Sequence, residues 1–164
     1  MNTNWTAIFG DFTSENGKLE FIGGQEEYEK QQKVAAIGNF ICNHYFGGGK
    51  ISADVTFTNV SYPSILEIVF YFDPASGHIV TAGLGGGGSL YSIRSFTGSW
   101  TLHASAGNYA TLTANRKYRV ELELRGSIAS LTVDGIVVIK TNLPYNLPIS
   151  QVGLWAQSEY NIIV

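Results

Sequence analysis

Lys117-Tyr118-Arg119-Val120-Glu121-Leu122-Glu123-Leu124-Arg125-Gly126, then Ser127 to Val133, Asp134-Gly135 and Ile136-Val137-Val138-Ile139-Lys140, reads as three consecutive β-strands. Alternation puts Tyr118, Val120, Leu122 and Leu124 on one face and Arg119, Glu121, Glu123 and Arg125 on the other. One dry and one wet face is the pattern of an antiparallel sheet at the surface of a core. Asp134-Gly135 suits a type I′ turn, in which both central residues take positive φ. These strands decide the fold class: all-β, with the sheet folded against a second one.

The rest of the 164 residues agrees. Further strands are expected at Trp5–Phe9 and Lys18–Ile22, flanking a turn at Asn16-Gly17. Lys50–Thr58 follows, with Ile51, Ala53, Val55 and Phe57 inward. Ile65–Phe72 is almost wholly apolar and is expected to be central and covered on both faces. Asp73-Pro74-Ala75-Ser76-Gly77 is a turn cluster, and His78–Leu84, Ser89–Phe96, Ser99–Ala104 and Ile149–Ala156 complete the set. Asn161-Ile162-Ile163-Val164 looks like the start of one more strand, so the domain 1–164 is expected to be part of a longer protein. Gln25 to Lys33 is polar throughout and offers no stripe to dock a helix. About eleven strands without a convincing helix mean a sandwich or barrel.

Composition narrows the partners. Charged residues are only 14% and the net charge is −3, with no basic block for a phosphate backbone, so no nucleic acid partner is expected. No apolar run approaches the ~18 residues of a membrane span, so no membrane partner is expected either. Met1-Asn2-Thr3-Asn4-Trp5 lacks the charged and apolar regions of a secretion signal, and a cytoplasmic location is expected. The lone cysteine, Cys42, stands among apolar residues and reads as a buried, inert thiol.

The order Tyr118-Arg119-Val120-Glu121-Leu122-Glu123, Leu131-Thr132-Val133-Asp134-Gly135 and Gln151-Val152-Gly153-Leu154-Trp155-Ala156 resembles the concanavalin A-like lectin/glucanase superfamily, and within it the laminin G-like modules. Gly49-Lys50-Ile51-Ser52-Ala53-Asp54-Val55 is similar to their early strand. The resemblance implies a jelly-roll sandwich of two curved antiparallel sheets. It includes sugar-binding modules, glycan hydrolases and domains that bind protein, so function must be argued from a site.

No catalytic constellation is legible. The Glu-x-Asp-x-x-Glu strand of the laminarinase-like members is missing; Glu121 and Glu123 share a face, but Arg119 and Arg125 stand with them, as in a solvated charge ladder. His44, His78 and His103 lack metal-ligand spacing. Asp54, Asp73 and Asp134 are the residues by type for the calcium that some relatives bind, without matching a motif. Gly47-Gly48-Gly49-Lys50 has His44 and Ile51 where a phosphate loop needs glycine and Ser or Thr. No cofactor is expected.

A recognition surface remains. Sugar sites need aromatic faces for pyranose C–H patches and planar polar groups for hydroxyls. Leu84 to His103 supplies both, and the candidate ligand-binding residues are Tyr45, Tyr91, Arg94, Trp100 and His103. Alternation sets Leu90, Ser92, Arg94 and Phe96 on one face and Tyr91 and Ile93 on the other. Trp100 shares a face with Leu102 and Ala104, where a core position is the ordinary expectation; Trp155 is expected to be core or half-buried. Asn43-His44-Tyr45-Phe46 is expected as an exposed aromatic loop. The leading expectation is a non-catalytic carbohydrate-recognition module that targets or senses for a fused partner, its ligand a glycan or oligosaccharide. A protein-interaction or self-association module comes second, and a divergent glycoside hydrolase third.

Overall fold

Period-two alternation and positive-φ turns recur along the chain, and the computed structural model, which describes residues 5–16, 18–27, 32–34 and 36–164, turns them into strands. Among the described residues these are β1 (Trp5–Phe9), β2 (Phe12–Glu15), β3 (Lys18–Phe21), β4 (Gln25–Glu27), β5 (Gln32–Val34), β6 (Ala36–Phe46), β7 (Gly49–Phe57) and β8 (Ile65–Phe72). They continue as β9 (Ile79–Leu84), β10 (Ser89–Phe96), β11 (Trp100–Asn108), β12 (Lys117–Arg125), β13 (Ile128–Val133), β14 (Ile136–Asn142), β15 (Ser150–Ser158) and β16 (Ile162–Ile163). The first sheet runs β1-β6-β15-β8-β9-β10-β11 and the second β14-β13-β12-β7-β16-β3-β2; β4 and β5 form a separate ribbon. Every pairing is antiparallel, and the two large sheets make the jelly-roll sandwich.

The core lies between the sheets. Leu66, Ile68 and Phe70 of β8 and Val80, Ala82 and Leu84 of β9 meet Tyr118, Val120, Leu122 and Leu124 of β12 and Leu131 of β13, all almost fully buried. The β12–β14 hairpins follow the alternation, and Asp134 (φ 52°) and Gly135 (φ 81°) take the left-handed conformations of the turn. On the solvent face Arg119 pairs with Asp54 at 3.2 Å and Lys50 with Glu121 at 3.2 Å, a ladder of exposed ion pairs.

Several expectations need correction. Trp5–Phe9 and Lys18–Phe21 belong to different sheets: β3 makes its hairpin with β2, and the chain changes sheet at Gly10 (φ 87°), where a Cβ would come within 2.6 Å of Gly38 Cα. Gly17 of the expected turn lies outside the described residues; Asn16 has the φ of 51° such a turn uses. Asn43–Phe46 is the end of β6, not a loop, because Tyr45 and Phe46 pair with Gln151 and Ser150. The Gln25–Lys33 segment contributes β4 and β5, and residues 28–31 lie outside the described residues.

Two bulges control which side chains face outward. In β8, Val69 opposes Thr81 and Tyr71 opposes Val80, so Phe70 is the extra residue. Glu67 and Val69 point outward before it, and Phe72 after it, with Ile68, Phe70 and Tyr71 in the core. In β11, Ala104 opposes Ile93 and Leu102 opposes Arg94, so His103 is the extra residue. Ala104 therefore packs on the core and does not share the face of Trp100 and Leu102.

Candidate functional site

The outer face of the first sheet carries the densest chemistry outside the core. Strand register lays out three rows across it. Asn39, Trp155, Glu67, Gly83 and Ser92 form one; Ile41, Gly153, Val69, Thr81, Arg94 and Leu102 form the next; Phe72, Ile79, Phe96 and Trp100 form the third. The apolar run Ile65–Phe72 is interrupted by one charge, Glu67, which is fully buried.

Burial of a carboxylate is tolerated only where its oxygens are engaged. Glu67 Oε1 accepts from Ser92 Oγ at 2.7 Å and from Arg94 Nε at 2.9 Å. Oε2 accepts from Thr81 Oγ1 at 3.0 Å and from Arg94 Nε at 2.9 Å, and Arg94 Nη2 stands 2.8 Å from it as an ion pair. Three adjacent strands thus converge on one side chain. The turn Gly85–Gly88 folds down over it: a Cβ on Gly86 would sit 2.2 Å from Glu67 Oε1 and 2.5 Å from Ser92 Oγ. Only glycine lets the backbone approach so closely.

An aromatic roof covers the pair. The Arg94 guanidinium lies 3.7 Å from the centroid of the Trp100 ring, a cation–π contact. Trp100 meets Trp155 edge-on at 5.1 Å, and Trp155 meets Phe9 at 5.6 Å. Trp100 and Trp155 stand four strands apart, a lateral spacing of about 19 Å in a flat sheet. Their rings meet all the same, so both lie on one face of the sheet. Trp100 is therefore an outer-face residue and not a core one, half-buried like Trp155, while Phe9 and Leu102 are exposed. Two buried polar atoms in the first row, Asn39 Oδ1 and Trp155 Nε1, have no hydrogen-bond partner among the described residues.

Of the residues expected from sequence, Arg94 and Trp100 come together here. Tyr91 faces the core, on the opposite face from Arg94 as alternation required; burial raises the pKa of its phenol. Tyr45 is exposed, at the far end of β6 beside Gln151. His103 turns inward at its bulge. Its Nε2 lies 2.9 Å from Ser95 Oγ, and its ring packs on Tyr145, which His78 also contacts. Burial lowers the pKa of both histidines; Asp73 partly opposes this for His78, and His78 reinforces it for His103. Sequence reasoning missed Glu67, Asn39 and Phe9 as site residues. The lone carboxylate inside an apolar strand was the available signal. No group of three metal-ligating side chains comes together among the described residues.

No family model matches the chain, and no curated protein sequence matches it. Solved structures do. The carbohydrate binding module CBM66 from Bacillus subtilis superposes with a TM-score of 0.76 at 16% identity, over 98% of this chain and 92% of that one. A Bacillus licheniformis beta-glucanase gives 0.62 at 15% identity, over 99% and 89%. A Bacillus subtilis protein of unknown function with a galectin-like fold gives 0.59 at 14%, over 89% and 85%. The fold is thus that of the concanavalin A-like jelly rolls.

Proposed function

We propose that the outer face of the first sheet binds carbohydrate without cleaving it, and that the chain is a glycan-recognition module. The observation that carries this reading is the roof of Phe9, Trp155 and Trp100 rings on the outer face of the first sheet. Aromatic faces and edges suit the C–H patches of a sugar ring. The similarity to a carbohydrate binding module over nearly the whole chain supports the same reading. Within this fold we read the Tyr118-Arg119-Val120, Val133-Asp134-Gly135 and Val152-Gly153-Leu154 order as laminin G-like.

The non-catalytic half rests on Glu67. Glycoside hydrolysis needs two carboxyls flanking the scissile bond. Glu67 is the one carboxylate in the three outward rows, and its oxygens are occupied by Arg94, Ser92 and Thr81 beneath the roof. Its task is to hold Arg94 under Trp100.

Affinity electrophoresis against a panel of soluble neutral and acidic polysaccharides tests the reading. At least one polysaccharide is expected to retard the protein, with the retardation lost in Trp155→Ala at unchanged circular dichroism. Free mobility in every gel would overturn it, as would release of reducing sugar abolished by Glu67→Gln.

A further inference from the structure

The outer face of the first sheet extends beyond the roof. Along β15 the outward side chains are Trp155 and Gln151, with Gly153 between them, since Leu154 and Ala156 pack on the core. Opposite them on β6, Trp155 pairs with Asn39 and Gly153 with Ile41. Past Cys42 the register jumps. Val152 opposes Cys42 but Gln151 opposes Tyr45, so Asn43 and His44 are extra residues in β6. Two extra residues, unlike one, preserve the alternation. Phe46 packs on the core opposite the buried Ser150, and Asn43 and Tyr45 therefore face outward with Gln151.

These three side chains repeat the chemistry of a sugar platform. Tyr45 is 71% exposed, against 44% for Phe9, so its ring is open to a partner. Gln151 Nε2 donates to Asn43 Oδ1 at 3.5 Å, the one hydrogen bond of either side chain among the described residues. Two planar amides thus keep most of their donors and acceptors for a ligand beside an open ring. Aromatic faces take the C–H patches of a sugar, and amides take its hydroxyls. Trp155 and Gln151 stand four residues apart on one strand, about 13 Å. That is wider than one sugar ring, and Gly153 puts no side chain in the path. In the three rows and this patch the charged side chains are Glu67 and Arg94, which are buried and neutralise each other. An acidic sugar would meet no uncompensated cation there.

We propose that Tyr45, Asn43 and Gln151 form a second sugar subsite, and that the face takes an uncharged oligosaccharide lying along β15 from Trp155 to Gln151. This second subsite rests on the reading of the roof as a sugar site, and it sets the length and charge of the ligand. Tyr45 stacks on one ring of the chain, the two amides take hydroxyls of that ring, and the roof holds a ring further along. A single sugar reaches one patch or the other, so affinity grows with chain length until both are engaged.

The test runs the full chain in gels holding neutral glucans, mannans, xylans and fructans, or the acidic polygalacturonate and alginate. Size-graded fragments of whichever polymer retards it then compete. Retardation is expected from a neutral polymer, with its hexasaccharide competing at least tenfold better than its disaccharide. Tyr45→Ala, a change at an exposed side chain, is expected to erase that gain at unchanged circular dichroism, and Tyr45→Phe, which keeps the ring, to retain it. In the ¹⁵N-labelled chain the hexasaccharide is expected to shift the side-chain amide signals of Asn43 and Gln151, and the disaccharide to move the Trp155 indole alone. Equal competition by both fragments, or a length gain that survives Tyr45→Ala, would overturn the second subsite while leaving the roof as a sugar site. Retardation by the acidic polymers alone would overturn the uncharged ligand. Free mobility in every gel would overturn the roof and the second subsite together.

Discussion

Glu67 and Arg94 form a unit, and the cost of dividing it is large. Each is buried, and each satisfies the other. Removing one partner of a buried pair leaves an uncompensated charge, at about 3–5 kcal/mol, while replacing both by apolar residues of similar volume is close to neutral. Arg94→Leu is therefore expected to lower urea-unfolding stability by about that amount, and Glu67→Leu with Arg94→Leu to recover most of it. Equal losses in the single and double variants would contradict the mutual compensation. The double variant also frees Trp100 from its guanidinium support at 3.7 Å. It is expected to fold and yet bind sugar more weakly, which separates stability from positioning. At this scale the sequence was partly readable. A lone glutamate inside Ile65–Phe72 is conspicuous, and Arg94 and Trp100 were marked by type. Asn39 and Phe9 carry no local signal, because their role depends on strands distant in the chain.

Elements position these residues through irregularities rather than through their regular parts. Alternation read correctly along Tyr118–Leu124 and Lys50–Phe57, where each strand is unbroken. It failed past His103 and was reversed at Phe70, because a one-residue bulge exchanges the two faces and leaves no mark in composition. The bulge at His103 brings its ring inward onto Tyr145, with Ser95 at its Nε2 and His78 against the same tyrosine. Burial lowers both histidine pKa values, so the unfolded chain binds protons more readily than the folded one. Their contribution to stability is thus complete above the ordinary histidine value of about 6.5 and is lost as pH falls through it toward the folded values. Thermal unfolding followed at pH 7.5 and pH 5.5 is expected to show a smaller acid-induced drop in His78→Gln/His103→Gln than in the parent protein. Parallel drops would contradict a role for this pair.

The whole molecule has two sheets with different business on their exposed sides. The second sheet presents a ladder of ion pairs over β7 and β12, open to solvent. The first sheet presents aromatic rings brought together from β1, β11 and β15. That convergence was invisible along the chain, since Phe9, Trp100 and Trp155 meet only through the strand order of the closed sandwich. The three tryptophans divide between two regions, Trp5 against the core between the sheets and Trp100 and Trp155 on the roof, so three indole N–H signals report on both. The most direct measurement is a titration of the ¹⁵N-labelled protein with an oligosaccharide cut from whichever polysaccharide retards it. Recognition on the first sheet predicts that the Trp155 and Trp100 indole signals shift in a saturable way while Trp5 remains where it is. Saturable binding that moves Trp5 and leaves Trp100 and Trp155 unchanged would contradict it.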